Sequence, residues 1–304
     1  MPLSPPPLLC VVGPTASGKT ALAVELALRF GGEVVSCDSM QIYRGMDIGT
    51  AKPTPEERRG VPHHMMDCAS PFEPWSAGVY AREAERCIEG IQSRGRLPVV
   101  CGGSGLWLRA LTEGLNDIPA VGNSVPSVPD ADAYTRLAEV DPETAARLKP
   151  GDSQRVRRAL TVFDATGRPL SDYHKNKPEP RYRALCLGLG WERGVLYARI
   201  GARAGEMLAQ GLVGETDGLL REGLSPDAPP LRAIGYREAV AFLQQSGESK
   251  DMDALREAIA QSTRRYAKRQ MTWFNHQTEV LWADPSQEKF FEICAKFVEK
   301  GFSV

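Results

Sequence analysis

In the first part of the chain, short apolar runs alternate with amphipathic segments. Apolar runs at 8–12, 33–37 and 97–101 have the length of buried strands, and 63–67 is a weaker candidate. Between and after them, residues 21–30, 76–92 and 104–111 show the apolar spacing of helices. This alternation predicts an α/β fold, in which a parallel sheet is flanked by helices.

The pattern changes after residue 115. Residues 116–129 are rich in Pro, Gly, Ser and Val without periodicity, as in a loop or linker. Helical patterns follow at 134–140, 142–148 and 153–165, and a polar, turn-rich stretch covers 169–183. We therefore predict that residues 116–180 form a small helical insertion domain, and that 1–115 and 181–304 form the core.

Beyond the insertion, the strand-like run 182–189 returns the chain to the core. Long helical patterns occupy about 192–222, 235–246 and 251–274, and 279–283 is a candidate last strand before a C-terminal helix. The chain contains neither an internal repeat nor a low-complexity tract.

The composition of the chain limits further which class of protein it can be. The chain has 304 residues and a net charge of −1, so it has no overall positive charge that would attract a polyanion. A nucleic-acid contact would therefore need local basic patches. Its seven cysteines form neither a C-x-x-C pair nor a metal-binding spacing with histidine, which favours a reducing compartment. The short apolar run near the Pro-rich N-terminus suits neither a signal peptide nor a membrane span, so we expect a cytoplasmic protein.

Directly after the first predicted strand comes a complete phosphate-binding loop. Its residues are Gly13, Pro14, Thr15, Ala16, Ser17, Gly18, Lys19 and Thr20. In such a loop the glycines let backbone N–H groups surround phosphate oxygens, the lysine neutralises charge, and the threonine hydroxyl holds Mg²⁺. A di- or triphosphate ligand is expected, with Thr20 as the candidate magnesium ligand.

Two further strand ends carry polar groups. Asp38 follows the second strand, and because ligands bind at the carboxyl ends of parallel strands it is a candidate general base; a strand-end cap is the alternative. The fourth strand ends in Gly102, Gly103 and Ser104, where an NTP hydrolase would usually place a Walker B aspartate. This absence weakens an ATPase hypothesis.

Basic side chains cluster twice, at 154–158 and on one face of the predicted helix at 264–269, with aromatic residues at 273 and 274. A basic stripe beside aromatic residues suits a phosphate backbone and stacked bases, although a solvated helix face has the same pattern. The pair His63-His64 has no ligand-spaced partner, so a structural or substrate-shaping role is favoured over metal binding.

Taken in order, these motifs resemble the tRNA dimethylallyltransferase family. The matching segments are 13–20, Asp-Ser-Met-Gln-Ile-Tyr at 38–43, 45–53, Pro-His-His at 62–64, Gly-Gly-Ser-Gly-Leu at 102–106, 154–160, Ala-Ile-Gly-Tyr-Arg at 233–237, and 263–274. The resemblance spans about residues 8–284 and implies a P-loop NTPase-like core with a helical insertion.

The resemblance implies transfer of a dimethylallyl group from dimethylallyl diphosphate to N6 of the adenine 3′-adjacent to the anticodon (position 37) in tRNAs reading codons that begin with U. Diphosphate is released and Mg²⁺ is the cofactor. In the same terms three residues are catalytic: Asp38 as the base, and Lys19 and Arg203, which bind the diphosphate. The partners are the anticodon stem-loop and the prenyl donor, and a monomer is expected.

The family has segments that contact tRNA, and the residues of this chain that match those segments position by position are implied to contact tRNA. They comprise Asp38, Ser39, Met40, Gln41, Ser104, Gln154, Arg155, Val156, Arg157, Arg158, Arg232, Ala233, Ile234, Gly235, Tyr236, Arg237, Ala267, Lys268, Arg269, Gln270, Met271, Thr272, Trp273 and Phe274. One departure is the short stretch 120–133, which lacks Arg and Lys where relatives carry a longer basic insertion.

Three alternatives stay open at this point. A small-molecule kinase would use Asp38 as the base toward a hydroxyl, but it would not need the basic clusters. A prenyltransferase acting on free AMP or ATP is a nearer variant. The shortened insertion also allows a non-catalytic RNA-binding module.

Overall fold

The computed structural model describes residues 5–73, 75–116, 118–119, 130–175, 178–245 and 251–302. The chain divides into two compact units. The core unit comprises Met1–Thr112 and Arg181–Val304, and the insertion unit comprises Glu113–Pro180.

The core unit contains a six-stranded parallel sheet. Its strands are β1 (Pro7–Val12), β2 (Gly32–Ser36), β3 (His63–His64), β4 (Leu97–Gly102), β5 (Arg183–Leu189) and β6 (Val280–Ala283), in the spatial order β3-β2-β4-β1-β5-β6. The central strand β1 pairs with β4 and β5, and its residues 8–12 are buried, as an apolar strand covered on both faces must be. The predicted parallel sheet is confirmed, and it brings the ends of β1, β2 and β4 to one edge.

Helices cover both faces of this sheet. Those of the core unit are α1 (Lys19–Phe30), α2 (Pro55–Arg58), α3 (Ala77–Ser93), α4 (Gly105–Thr112), α9 (Arg193–Ala209), α10 (Leu212–Arg221), α11 (Tyr236–Leu243), α12 (Met252–Gln277) and α13 (Phe290–Phe302), with a 3-10 turn at Pro229–Arg232. One core cluster includes Tyr80, Ile88 and Phe274, and the second includes Leu26 and Cys294. None of the helices in the described part of the chain is long and apolar enough to cross a bilayer.

The insertion unit is helical, with α5 (Asp130–Val140), α6 (Pro142–Arg147), α7 (Ser153–Thr166) and α8 (Leu170–His174). Leu137, Val156 and Leu160 form its small core. The buried Asp141 carboxylate accepts hydrogen bonds from the Thr144 and Ser171 backbone N–H groups at 3.0 Å each, and so joins the starts of α6 and α8. Residues 120–129, most of the stretch predicted to be a linker, lie outside the described residues.

Several boundaries differ from the sequence-based expectation for local reasons. The helical pattern at 192–222 is two helices, because Gly211 adopts a left-handed conformation (φ 102°) between α9 and α10. Strand β3 ends after two residues, since Met65 turns the chain with φ 60°. Helix α2 was not predicted, although the capping box of Thr54 and Glu57 signals it.

Candidate active site

The phosphate-binding loop lies where the motif requires it, between the end of β1 and the start of α1. Gly13 (φ 134°) and Gly18 (φ 93°) adopt conformations that side chains disfavour. Ala16 is also left-handed, with φ 63°, at a cost of about 1 kcal/mol. Contacts from outside the loop must therefore hold this conformation.

Two side chains from one side of the loop supply such contacts. Arg199 on α9 donates from Nε to the Ala16 carbonyl at 2.8 Å, and Trp191 donates from Nε1 to the Ser17 carbonyl at 2.8 Å. The Arg199 guanidinium also lies over the Trp191 ring, 4.7 Å from its centroid. Since a trans peptide directs C=O and the following N–H in opposite directions, the next N–H groups point away from these donors.

A glutamine on α12 holds the loop from another element. The Thr15 N–H donates to Gln270 Oε1 at 2.9 Å, and Gln270 Nε2 donates to the Gly103 carbonyl at 3.0 Å. Gln270 is buried, and a Cβ on Gly103 would lie 2.1 Å from its Nε2. The amide therefore joins the phosphate loop to the turn after β4.

That turn excludes a Walker B carboxylate by packing. A Cβ built on Gly102 would lie 2.0 Å from the carbonyl oxygen of Cys37, at the end of the neighbouring strand β2. Only glycine fits there, so the close approach of the two backbones excludes an aspartate at this position. Ser104, two residues on, accepts a hydrogen bond from the Ser39 N–H at 3.1 Å.

A cavity of about 760 Å³ opens beside the loop. Its walls are residues 15–21, Asp38, the segment 50–54, and Arg199 and Arg203 from α9. All three residues predicted to be catalytic, Asp38, Lys19 and Arg203, line it.

Two cations in the cavity are desolvated. Burial lowers the pKa of Lys19 to about 8, and the nearby Arg203 lowers it further while Asp38 opposes the change. Burial likewise lowers the pKa of Arg203, again opposed by Asp38. Lys19 donates to the Pro14 carbonyl at 2.7 Å, and within the described residues Arg203 has no ion pair. Desolvated cations without a full set of partners favour an anionic ligand.

Asp38 follows β2, where it makes the hydrogen bond of a strand-end cap and also lines the cavity. Its Oδ1 accepts a hydrogen bond from the Met40 N–H at 2.9 Å, so the carboxylate does cap the strand end. The same half-buried side chain lines the cavity and interacts electrostatically with Lys19 and Arg203. A carboxylate held in this way can accept a proton from a group bound in the cavity.

Tyr266 also lines the cavity, although its sequence position alone gave it no predicted role. Burial raises its pKa above the usual value, and the charge of Asp38 raises it further, while a hydrogen bond with Ser104 opposes the shift. Its hydroxyl therefore stays protonated near Asp38. Its position in the Thr-Arg-Arg-Tyr motif was the signal that could have identified it.

Thr20 is half-buried and also lines the cavity. No group of three His, Cys, Asp or Glu residues among those described could hold a metal ion. A hard cation here would thus take one protein hydroxyl and complete its shell with substrate oxygens and water, which is the usual manner of Mg²⁺. The residues present fit such a shared site.

The predicted RNA-contacting segments mix exposed and interior positions. Arg265, Lys268 and Arg269 are exposed on α12 and form what we call the basic face. Gln154, Arg155 and Arg158 on α7 are exposed, as are Arg232, Arg237 and Thr272, whereas Arg264 pairs with Glu257. Interior positions in the same segments are Val156, Gly235, Tyr236, Ala267, Gln270 and Phe274. Residues in the second group are buried within the protein, whereas those in the exposed group are accessible to a ligand such as RNA.

The tRNA contact predicted for Trp273 stays a prediction, and in the structure its half-buried ring has contacts within the protein. A Cβ on Gly105 would lie 2.1 Å from Nε1 of its ring, and the Arg109 guanidinium lies 5.2 Å from the ring centroid. His63 and His64 also have structural contacts, with the Val61 carbonyl at 2.8 Å and the Glu33 carboxylate at 2.7 Å respectively.

The sheet order and the phosphate loop define a P-loop NTPase-like fold, with a cavity that holds buried cations and an aspartate but no Walker B carboxylate. A family model described as IPP transferase matches residues 41–277, and one described as Isopentenyl transferase matches residues 7–70. The chain belongs to this family, as the resemblance indicated.

Known proteins agree with this assignment. The "tRNA dimethylallyltransferase 2" of Geotalea uraniireducens is 47% identical over 302 residues, covering 96% of each chain. The crystal structure of a tRNA isopentenylpyrophosphate transferase from Bacillus halodurans has a TM-score of 0.73 at 36% identity and covers 97% of this chain and 96% of its own. A eukaryotic dimethylallyltransferase acting on tRNA has a TM-score of 0.77 at 26% identity, covering 93% of this chain and 75% of its own.

Proposed function

We propose that this protein transfers a dimethylallyl group from dimethylallyl diphosphate to N6 of the adenine at position 37 in tRNAs that read codons beginning with U. Transfer of a dimethylallyl group to tRNA follows from its family. The observation that carries the proposed site is the pair of desolvated cations, Lys19 and Arg203, in one cavity with Asp38.

The cations act on the leaving group. As the bond between the allyl carbon and the bridging oxygen breaks, negative charge collects on the diphosphate and the allyl carbon becomes cation-like. Lys19, Arg203 and the loop N–H groups stabilise that developing charge from fixed positions, which is electrostatic preorganisation. The contacts of Arg199, Trp191 and Gln270 keep the loop in place for this role.

Asp38 acts on the nucleophile. The exocyclic N6 amine is weak because its lone pair is delocalised into the ring, and it must lose a proton as the carbon–nitrogen bond forms. The Asp38 carboxylate accepts that proton, a contribution that is typically about 10²–10⁴-fold in rate. The adenine must leave its stack to reach the cavity, at a cost of a few kcal/mol.

Mg²⁺ is the divalent ion we assign to Thr20, where it would neutralise charge on the diphosphate. The diphosphate substrate of the family points to a divalent cation in general. We also propose that the protein acts as a monomer in the cytoplasm.

The activity assay decides the function. The protein is incubated with dimethylallyl diphosphate, Mg²⁺ and unmodified tRNA bearing A37, and the digested tRNA is examined by mass spectrometry. Isopentenyladenosine at position 37 is expected, and a tRNA with G37 serves as the control. If an authentic enzyme succeeds in parallel while this protein leaves A37 unmodified, the proposal is wrong.

The lowered pKa of Lys19 predicts a pH dependence of donor binding. The charged ammonium binds the diphosphate, so affinity should be constant well below pH 8 and fall as pH rises through about 8. At one unit above the pKa roughly a tenth of the ammonium remains charged. Calorimetric titration with dimethylallyl diphosphate between pH 6.5 and 9.5 measures this. In Lys19→Arg the break near pH 8 should disappear, and its persistence would assign the titration to another group.

The basic face predicts the salt dependence of tRNA binding. Replacing Arg265, Lys268 and Arg269 together by Ala should lower the slope of log affinity against log salt by about 2–3, since each lost phosphate contact contributes about 0.7–0.9. Filter binding or fluorescence anisotropy at several salt concentrations measures the slope. The matched control replaces three exposed lysines on or beside α13, Lys289, Lys296 and Lys300, together by Ala. Equal slopes in both variants would exclude the basic face from the RNA interface.

A further inference from the structure

One carboxylate outside the cavity holds a segment of its wall. Glu215, on α10, accepts hydrogen bonds from three successive backbone N–H groups: those of Asp47 and Ile48 reach Oε2 at 2.9 Å each, and that of Gly49 reaches Oε1 at 3.1 Å. Successive N–H groups that converge in this way form an anion-binding nest. Here the anion is a side chain of the protein itself.

A fourth donor completes the arrangement. The Tyr236 hydroxyl donates to Glu215 Oε1 at 2.6 Å, and Tyr236 is fully buried. Burial and the Glu215 charge raise the pKa of this hydroxyl far above its usual value, so it stays a donor. A Cβ on Gly49 would lie 2.4 Å from the Tyr236 ring, which explains the glycine in the nest. Four donors therefore meet one carboxylate, and hydrogen bonds to a charged group are among the stronger ones.

The segment that Glu215 holds forms part of the cavity. Ile48, Thr50 and Lys52 line the same space as Lys19 and Asp38, whereas Glu215 does not line it. The buried Gln41 also supports the segment, because its Nε2 donates to the Thr50 and Ala51 carbonyls at 3.3 Å each. Any effect of Glu215 on substrate must therefore pass through this wall.

We propose that Glu215, assisted by Tyr236, is a positioning residue that fixes residues 47–53 as a wall of the prenyl-donor site and so sets affinity for the donor. This inference rests on the proposed function for the identity of the ligand. A wall that contacts bound and reacting donor alike contributes to KM more than to kcat. Losing one hydrogen bond to a charged group typically costs about 10- to 100-fold in an equilibrium constant, so a displaced wall can weaken donor binding by about that much.

Glu215→Gln tests this, because it keeps the size of the side chain but sets an NH₂ group against the backbone donors. The KM for dimethylallyl diphosphate should rise about 10- to 100-fold, with kcat changed far less, and amide hydrogen exchange at 47–49 should accelerate. Asp217→Asn on the same helix, whose carboxylate pairs with the exposed Arg221 at 2.6 Å, is the matched control and should behave as the unaltered protein.

Tyr236→Phe removes one donor of the four and should give a smaller rise in KM, which keeps the test valid if Glu215→Gln does not fold. Unaltered KM and unaltered exchange at 47–49 in both variants would overturn the inference. If instead the unaltered protein transfers no prenyl group, the proposed function fails, and the dissociation constant of the donor from calorimetry decides the role of Glu215 separately. A kcat loss without a KM change would also overturn the inference.

Discussion

Asp38→Asn is expected to lower kcat for prenyl transfer by about 10²–10⁴-fold, the range for loss of a general base. The amide oxygen can still accept the hydrogen bond from the Met40 N–H, so the strand-end turn should survive. What it cannot do is accept the proton from N6. Affinity for tRNA should change little, because the basic face is untouched.

Single-turnover kinetics with radiolabelled dimethylallyl diphosphate measures this effect on the chemical step. Asp284→Asn is a matched control: Asp284 follows β6 and accepts a hydrogen bond from the Ser286 N–H at 2.9 Å, as Asp38 does from Met40 after β2. The control should retain full activity. If Asp38→Asn retained activity within threefold, the carboxylate would be a cap and not the base.

Arg203→Met is expected to reduce kcat/KM by about 10²–10³-fold, the usual cost of removing one group that stabilises developing charge. The guanidinium is desolvated in the cavity, so an uncharged side chain should be tolerated by the fold. Its loss should also raise the pKa of Lys19, because Arg203 is one cause of the lowered value. The break in donor affinity near pH 8 should then move to higher pH.

Arg193→Met on the same helix is the control, since Arg193 is exposed and lies over Tyr197 at 5.1 Å, away from the cavity lining. Steady-state kinetics with tRNA at saturation gives kcat/KM for the donor in both variants. Equal losses in the two variants would indicate a general effect of charge on α9 and contradict a specific role for Arg203.

The sequence allowed the sheet and the phosphate loop to be predicted because both are local patterns. A buried strand, a glycine-rich turn and a helix follow one another within residues 7–30, and their geometry needs no distant contact. Asp38 was found for the same reason, since the end of a parallel strand has a fixed relation to its neighbours. Lys19 and Arg203 then came from a motif and a family resemblance respectively.

Contacts between segments that are far apart in the sequence could not be predicted from the spacing of residues along the chain. Gln270 bonds Thr15 across 255 positions, Arg199 bonds Ala16 across 183, and Glu215 bonds Gly49 across 166. Each links elements whose proximity depends on the whole topology, so the sequence could suggest the residue and not its partner. Their shared consequence is that loops around the cavity are held from outside.

The RNA-contacting segments were predicted as whole runs, although a helix buries about every third or fourth residue. Ala267, Gln270 and Phe274 follow that spacing and are buried, while Lys268 and Arg269 between them are exposed. Helical periodicity is itself a property of the sequence, so it could have separated the packing residues from those that are free to contact RNA.

The central claim is that the phosphate loop holds a departing diphosphate, so that a carbon–oxygen bond breaks. Dimethylallyl diphosphate labelled with ¹⁸O at the bridging oxygen, reacted with A37-bearing tRNA and this protein, tests it most directly. The expected products are prenylated A37 and released diphosphate that retains all of the ¹⁸O, both measured by mass spectrometry. Diphosphate without the label, or labelled dimethylallyl alcohol without prenylated tRNA, would show phosphorus–oxygen cleavage and contradict it.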